Sequence, residues 1–237
     1  GKDRTDERPE HEEEIRDVQE QIRQHDTEYR AIIHVGKHRR NTPAVQADGI
    51  FAPMTLNEYL DMHRQRAEDQ LVEFLRIPSV STDPACAADV RHCADWLADH
   101  LRSIGVPHVE VVPTAGHPIV YAEDLRAGAD APTVLFYGHY DVQPVDPIDL
   151  WTQPPFEPVI RDGKVFARGA TDDKGQVFLH IKAIEAEYAV NGALPINVKL
   201  LIEGEEEIGS PNLAPFVKAN TEKLSCDAVL VSDTPMF

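Results

Sequence analysis

The chain has 237 residues, of which 42% are hydrophobic, enough to bury a core for one or two domains. A formal charge of −18 sets it against phosphate backbones and anionic lipid, so neither nucleic acid nor a membrane surface is an expected partner. No apolar run reaches bilayer length, the N-terminus lacks the apolar centre of a secretion signal, and three cysteines fit neither a Cys-x-x-Cys zinc spacing nor a complete disulfide framework; a reduced cytoplasmic protein is expected.

Residues 1–50 read as a charged helical extension and linker. Ile15, Val18, Ile22, His25, Tyr29 and Ile32 recur at alternating spacings of three and four, a short heptad seam that suits either pairing or docking, or else a solvated helix. His34 and His38 have the spacing of a helical zinc pair, but no Glu follows His34 and Gly36 interrupts the turn, so no metal role is expected there. Arg39 to Pro53 reads as linker.

Residues 51–237 read as one α/β unit. A helical pattern runs from Leu56 through Tyr59, Leu60, Leu71, Val72 and Leu75 and stops before Ile77-Pro78. A second helix is predicted from about Ala85 to Ile104, with Val90, Cys93, Trp96, Leu97 and Leu101 on one face and Gly105 as its stop. Strands are predicted at Val109 to Val112, Ile119 to Glu123 and Val134 to Tyr137. Val159 to Ala167 follows, with a hairpin turn at Asp162-Gly163. Then come a helix from Gly175 to Asn191, a strand from Asn197 to Glu203, a helix capped by Ser210 and running through Ala219, and a last strand from Ala228 to Val231. The alternation predicts a three-layer α/β/α fold with a mixed, mostly parallel sheet.

One imidazole and several carboxylates fall just beyond the predicted strands: His139 and Asp141, Asp172, Glu206 and Glu207, and Asp233. In an open α/β sheet the crevice past the carboxyl ends of the strands collects such groups, and this donor set suits a divalent metal, most naturally zinc with an open coordination position. Gly138 is read as allowing a tight turn before His139, Asp141 as the carboxylate that orients the imidazole, and Asp173 as the cap of the following helix.

The motifs Gly138-His139-Tyr140-Asp141-Val142-Gln143-Pro144, Arg168-Gly169-Ala170-Thr171-Asp172-Asp173-Lys174-Gly175, Glu206-Glu207-Ile208-Gly209-Ser210 and Ser232-Asp233-Thr234-Pro235 resemble those of the di-zinc exopeptidase family. That family includes carnosinase, glutamate carboxypeptidase, aminoacylase and acetylornithine deacetylase, and the wording here is most similar to its carnosinase-like dipeptidases. The resemblance implies two Zn2+, with Mn2+ or Co2+ as alternatives. His139, Asp172 and Asp233 would hold one ion; Asp172, Glu207 and a histidine beyond residue 237 would hold the other. It implies a cis Asp172-Asp173 peptide bond, selects Glu206 and Glu207 from the three-Glu run, and leaves Glu205 as a bystander. It further implies hydrolysis of a dipeptide or C-terminal peptide amide by a zinc-bridged water, with Glu206 as general acid/base, in a homodimeric complete enzyme. N-acyl amino acid deacylation and a non-catalytic metal-binding or assembly module are the alternatives. Since the inserted lid would also follow residue 237, the chain is expected to be a fragment of weak or no activity, with the strand Ala228 to Val231 left open.

Overall fold

The computed structural model describes residues 54–234; the heptad seam, His34, His38 and the linker lie outside the described residues. The first helical pattern forms two helices, α1 (Leu56–Met62) and α2 (Arg64–Arg76), joined at His63. Thr55 opens α1 with a reciprocal cap: its hydroxyl accepts the Glu58 N–H, and Glu58 Oε2 accepts the Thr55 N–H at 2.8 Å. A 3-10 turn at Pro84–Cys86 leads into α3 (Ala87–Ser103), then β1 (His108–Val112), β2 (Ile119–Asp124) and β3 (Thr133–His139). The small hairpin of β4 (Val159–Arg161) and β5 (Lys164–Phe166) turns at Asp162 and Gly163, whose φ angles of 54° and 73° are those of the predicted tight turn. The chain continues through α4 (Lys174–Asn191), β6 (Asn197–Glu203), α5 (Leu213–Ala219) and β7 (Ala228–Val231).

The main sheet has the order β1-β2-β6-β3-β7. β3 pairs in parallel with β6 and with β7, while β2 pairs antiparallel with both β1 and β6. The sheet is therefore mixed as expected, but parallel pairing is confined to the neighbours of β3 and does not predominate. The short connection between β1 and β2 allows only a hairpin-like return and so makes that pair antiparallel.

β6 is buried along its whole length, and its two faces feed the two cores. Val198, Leu200 and Ile202 meet α3 and α4 through Val90, Leu97, Leu101, Ile181 and Ile184. On the opposite face Leu201 packs with Ile119, Tyr121, Leu135, Phe216 and Leu224, so α5 makes a thinner third layer. Cys93 lies fully buried in the first core, its Sγ 3.8 Å from the Tyr140 carbonyl. β7 is one of the two sheet edges among the described residues: Val229, Leu230 and Val231 are 59%, 40% and 54% exposed. That matches the expected open strand.

Ser210 does not cap α5. It sits at φ 51° and its hydroxyl donates to Glu203 Oε1 at 2.8 Å, while the helix starts two residues beyond Pro211 with Asn212 at the cap position. An N-cap residue typically adopts extended backbone, which Ser210, at positive φ, does not.

Candidate metal centre

The carboxyl ends of β3, β6 and β7 lie side by side because β3 is parallel to both neighbours. His139 is the last residue of β3, in register with Glu203, the last of β6. The turn Glu206–Ile208 follows β6, Asp233 follows β7, and Asp172 arrives on the loop that starts α4. All six residues singled out from the sequence thus converge. Two sets have ligand atoms within 4.8 Å of one another: His139, Asp172 and Asp233, and His139, Glu206 and Glu207. His139 is the common member.

The imidazole is fully buried. Its Nδ1 lies 3.1 Å from the Asp141 carbonyl and 3.3 Å from Asp141 Oδ1, which fixes Nδ1 as the N–H donor and leaves Nε2 facing the crevice. Nε2 stands 3.1 Å from Asp172 Oδ1, 3.7 Å from Asp233 Oδ2 and 3.9 Å from Glu206 Oε2. No contact is aligned as a hydrogen bond, so Nε2 is a buried polar atom without such a partner. A ring nitrogen among carboxylate oxygens calls for a cation. Ligands of a tetrahedral zinc ion, with bonds of about 2.0–2.2 Å, stand about 3.4 Å apart. The residues present fit a divalent ion.

Asp141 does more than orient the ring. It is fully buried, and its two carboxylate oxygens accept the N–H groups of Glu206 and Glu207, each at 3.2 Å. One carboxylate therefore fixes the histidine and the backbone of the paired glutamates together. Gln143 Nε2 donates to Glu207 Oε2 at 2.6 Å.

The Asp172-Asp173 peptide bond is cis. Asp173 occupies the N-cap position of α4, yet its side chain makes no cap bond. Its Oδ2 instead accepts the His139 N–H at 3.1 Å, which corrects the expected capping role. Gly138 is corrected as well. It lies within β3, and a Cβ there would come within 2.5 Å of Val177 Cγ2 and 2.6 Å of Asp173 Oδ2, so glycine serves the close approach of α4 to the strand. No turn is involved.

Proton affinities in the crevice reflect crowding. Burial by itself would lower the His139 pKa, but the hydrogen bond and charge of Asp141, with Asp173 and Glu206, outweigh it and push the imidazolium up to about 10. Burial is the main reason Asp173 rises to about 7, with Asp233 and Asp172 adding repulsion against the opposing pull of His139. Desolvation also raises Glu206 and Glu207, partly offset in Glu206 by His139 and in Glu207 by Gln143.

Sequence reasoning missed three supports. Glu205 is a buried brace: its Oε1 accepts the His117 N–H at 3.1 Å and its Oε2 accepts Asn212 Nδ2 at 2.7 Å, tying the β1–β2 connection to the glutamate turn. Lys174 is fully buried, with Nζ donating to the carbonyls of Ile77 at 2.7 Å and Phe74 at 3.1 Å, and burial lowers its ammonium pKa. Gln176 bonds two loops at once, at Thr171 and Thr234. Spacing gave no signal for any of these. His117 and His180 stay outside both ligand sets, His180 Nε2 lying 2.6 Å from Ser232 Oγ.

Fold and site together define an α/β protein with a candidate histidine–carboxylate metal centre at the ends of its parallel strands. Residues 135–236 match the model of peptidase family M20/M25/M40. The chain is 34% identical over 194 residues to Beta-Ala-His dipeptidase of Rattus norvegicus, covering 75% of this chain and 39% of that one. Human carnosine dipeptidase 1 superposes with a TM-score of 0.70 at 32% identity, over 78% of this chain and 42% of that one. An M20 family metallo-carboxypeptidase from Sulfolobus solfataricus superposes with a TM-score of 0.65 at 41% identity, over 72% and 38%. The chain carries a domain of the M20 peptidase family, and it spans about two fifths of the length of the relatives it matches.

Proposed function

We propose that the whole protein hydrolyses the amide bond of a dipeptide, or the C-terminal amide bond of a short peptide, with Glu206 as general acid/base. The observation that carries this reading is the buried, unpartnered Nε2 of His139, faced by oxygens of Asp172, Asp233 and Glu206. His139, Asp172 and Asp233 would hold one zinc ion, and Asp172 with Glu207 would contribute to a second. Zinc, when bound, polarises the scissile carbonyl and makes an attacking water more acidic. Glu206 would take the proton of that water and later pass it to the departing amine, a role supported by the tie of its N–H to Asp141 and by its carboxylate lying 3.9 Å from Nε2. Burial suits it to the task by raising its proton affinity. The names of the dipeptidase relatives support a short peptide substrate such as β-alanyl-histidine. Three unpaired cysteines support a cytoplasmic setting, and the reading extends to a homodimer for the whole protein.

In the whole protein, Glu206→Gln should keep zinc and lower turnover of β-alanyl-histidine by about 10²- to 10⁴-fold, whereas Glu207→Gln should lose zinc first. Metal analysis beside steady-state kinetics checks both. If Glu206→Gln loses its metal while Glu207→Gln keeps it, the two roles are assigned the wrong way round.

A further inference from the structure

Asp233 stands on the loop after β7, whose four residues are all exposed among the described residues. Two side chains of α4, one helical turn apart, reach the loop. His180 lies against the Ser232 hydroxyl on one side of Asp233. On the other side Gln176, itself buried, donates through Nε2 to the Thr234 carbonyl at 2.8 Å. The same amide nitrogen donates to the Thr171 carbonyl at 2.6 Å, on the residue preceding Asp172. Both N–H groups of the amide are committed, one to each carboxylate-bearing loop.

We propose that Gln176 is a positioning residue that sets the spacing of the Asp172 and Asp233 carboxylates and thereby the affinity of the ion they hold with His139; this rests on the metal reading given above. Gln176 meets neither ion nor substrate and acts through two backbone carbonyls. Side chains that orient metal ligands in this indirect way commonly carry a 10- to 100-fold share of affinity.

The test is zinc affinity by chelator competition, with thermal midpoints of the metal-free chain recorded alongside. Gln176→Met keeps the volume and removes both donors, and should weaken zinc binding by about 10- to 100-fold. The metal-free midpoint should move little, since Thr171 and Thr234 are exposed and water can take up their carbonyls. In an Asp233→Asn background the same substitution should have only a small fraction of that effect. Unchanged affinity in the single variant, or an undiminished loss in the Asp233→Asn background, overturns the proposal. Should Gln176→Met fail to fold, Gln176→Asn, which keeps the amide on a shorter stem, is read by the same two criteria. If His139→Ala and Asp233→Asn leave zinc binding untouched, the metal reading itself fails; if they weaken it and the Gln176 variants do not, only the positioning role does.

Discussion

His139 and the Glu206–Ile208 turn stand at the ends of β3 and β6, two adjacent interior strands, with β6 buried along its length; Asp233 follows β7, an edge strand among the described residues, whose apolar residues face solvent. The first flank is held by the sheet itself. Strand register sets His139 beside Glu203, and Asp141 then fastens the ring to the N–H groups of Glu206 and Glu207. The second flank takes its position from a helix, through Gln176 and His180. Identical chemistry on the two sides thus rests on unequal foundations, and stability and metal affinity should come apart when each flank is perturbed.

The largest expected difference is in stability. Leu200→Ala in the middle of β6 should cost about 2–5 kcal/mol, whereas Val229→Ala on β7 should stay within about 0.5 kcal/mol. Urea unfolding of both variants checks this, and comparable losses would show that β7 is held as firmly as β6. Next, Asp141→Asn should lower zinc affinity by about 10- to 100-fold, because it disturbs the His139 tautomer and the anchoring of the glutamate pair together. A change confined to stability would mean that the carboxylate is merely a core hydrogen-bond acceptor. The smallest effect is a slope. The His139 imidazolium, pushed up to about 10, must lose a proton for Nε2 to ligate a metal, so zinc affinity should rise with pH by about tenfold per unit across neutrality. The slope should steepen below about 7, where Asp173 also takes up a proton that a nearby cation would expel. Affinity independent of pH would place the ion away from His139.

The elements that were easiest to foresee are those whose burial is written in composition. Asn197–Glu203 matches its expected bounds because a short segment rich in branched apolar residues, bounded by Pro195 and Gly204, favours a buried strand over a helix. The six site residues were legible because each follows such a strand or opens α4. What escaped were features that depend on a partner distant in sequence. Gly138 is explained by Val177 and Asp173, Glu205 by His117 and Asn212, and Lys174 by two carbonyls at the end of α2. Ser210 misled for a local reason: it has the chemistry of a cap but sits in a left-handed turn before Pro211, with its hydroxyl turned back to Glu203.

The thiol of Cys93 sits at the centre of the larger core, against the Tyr140 carbonyl, and burial holds its pKa above the ordinary cysteine value. A thiol-directed reagent reacts with the ionised form and needs a path to it, and neither condition is met while α3 stays seated on the sheet. The chain therefore carries its own clock for whole-domain opening: the modification rate at Cys93, whose neighbour Tyr140 lies between His139 and Asp141, reports how often the core directly beneath the crevice separates.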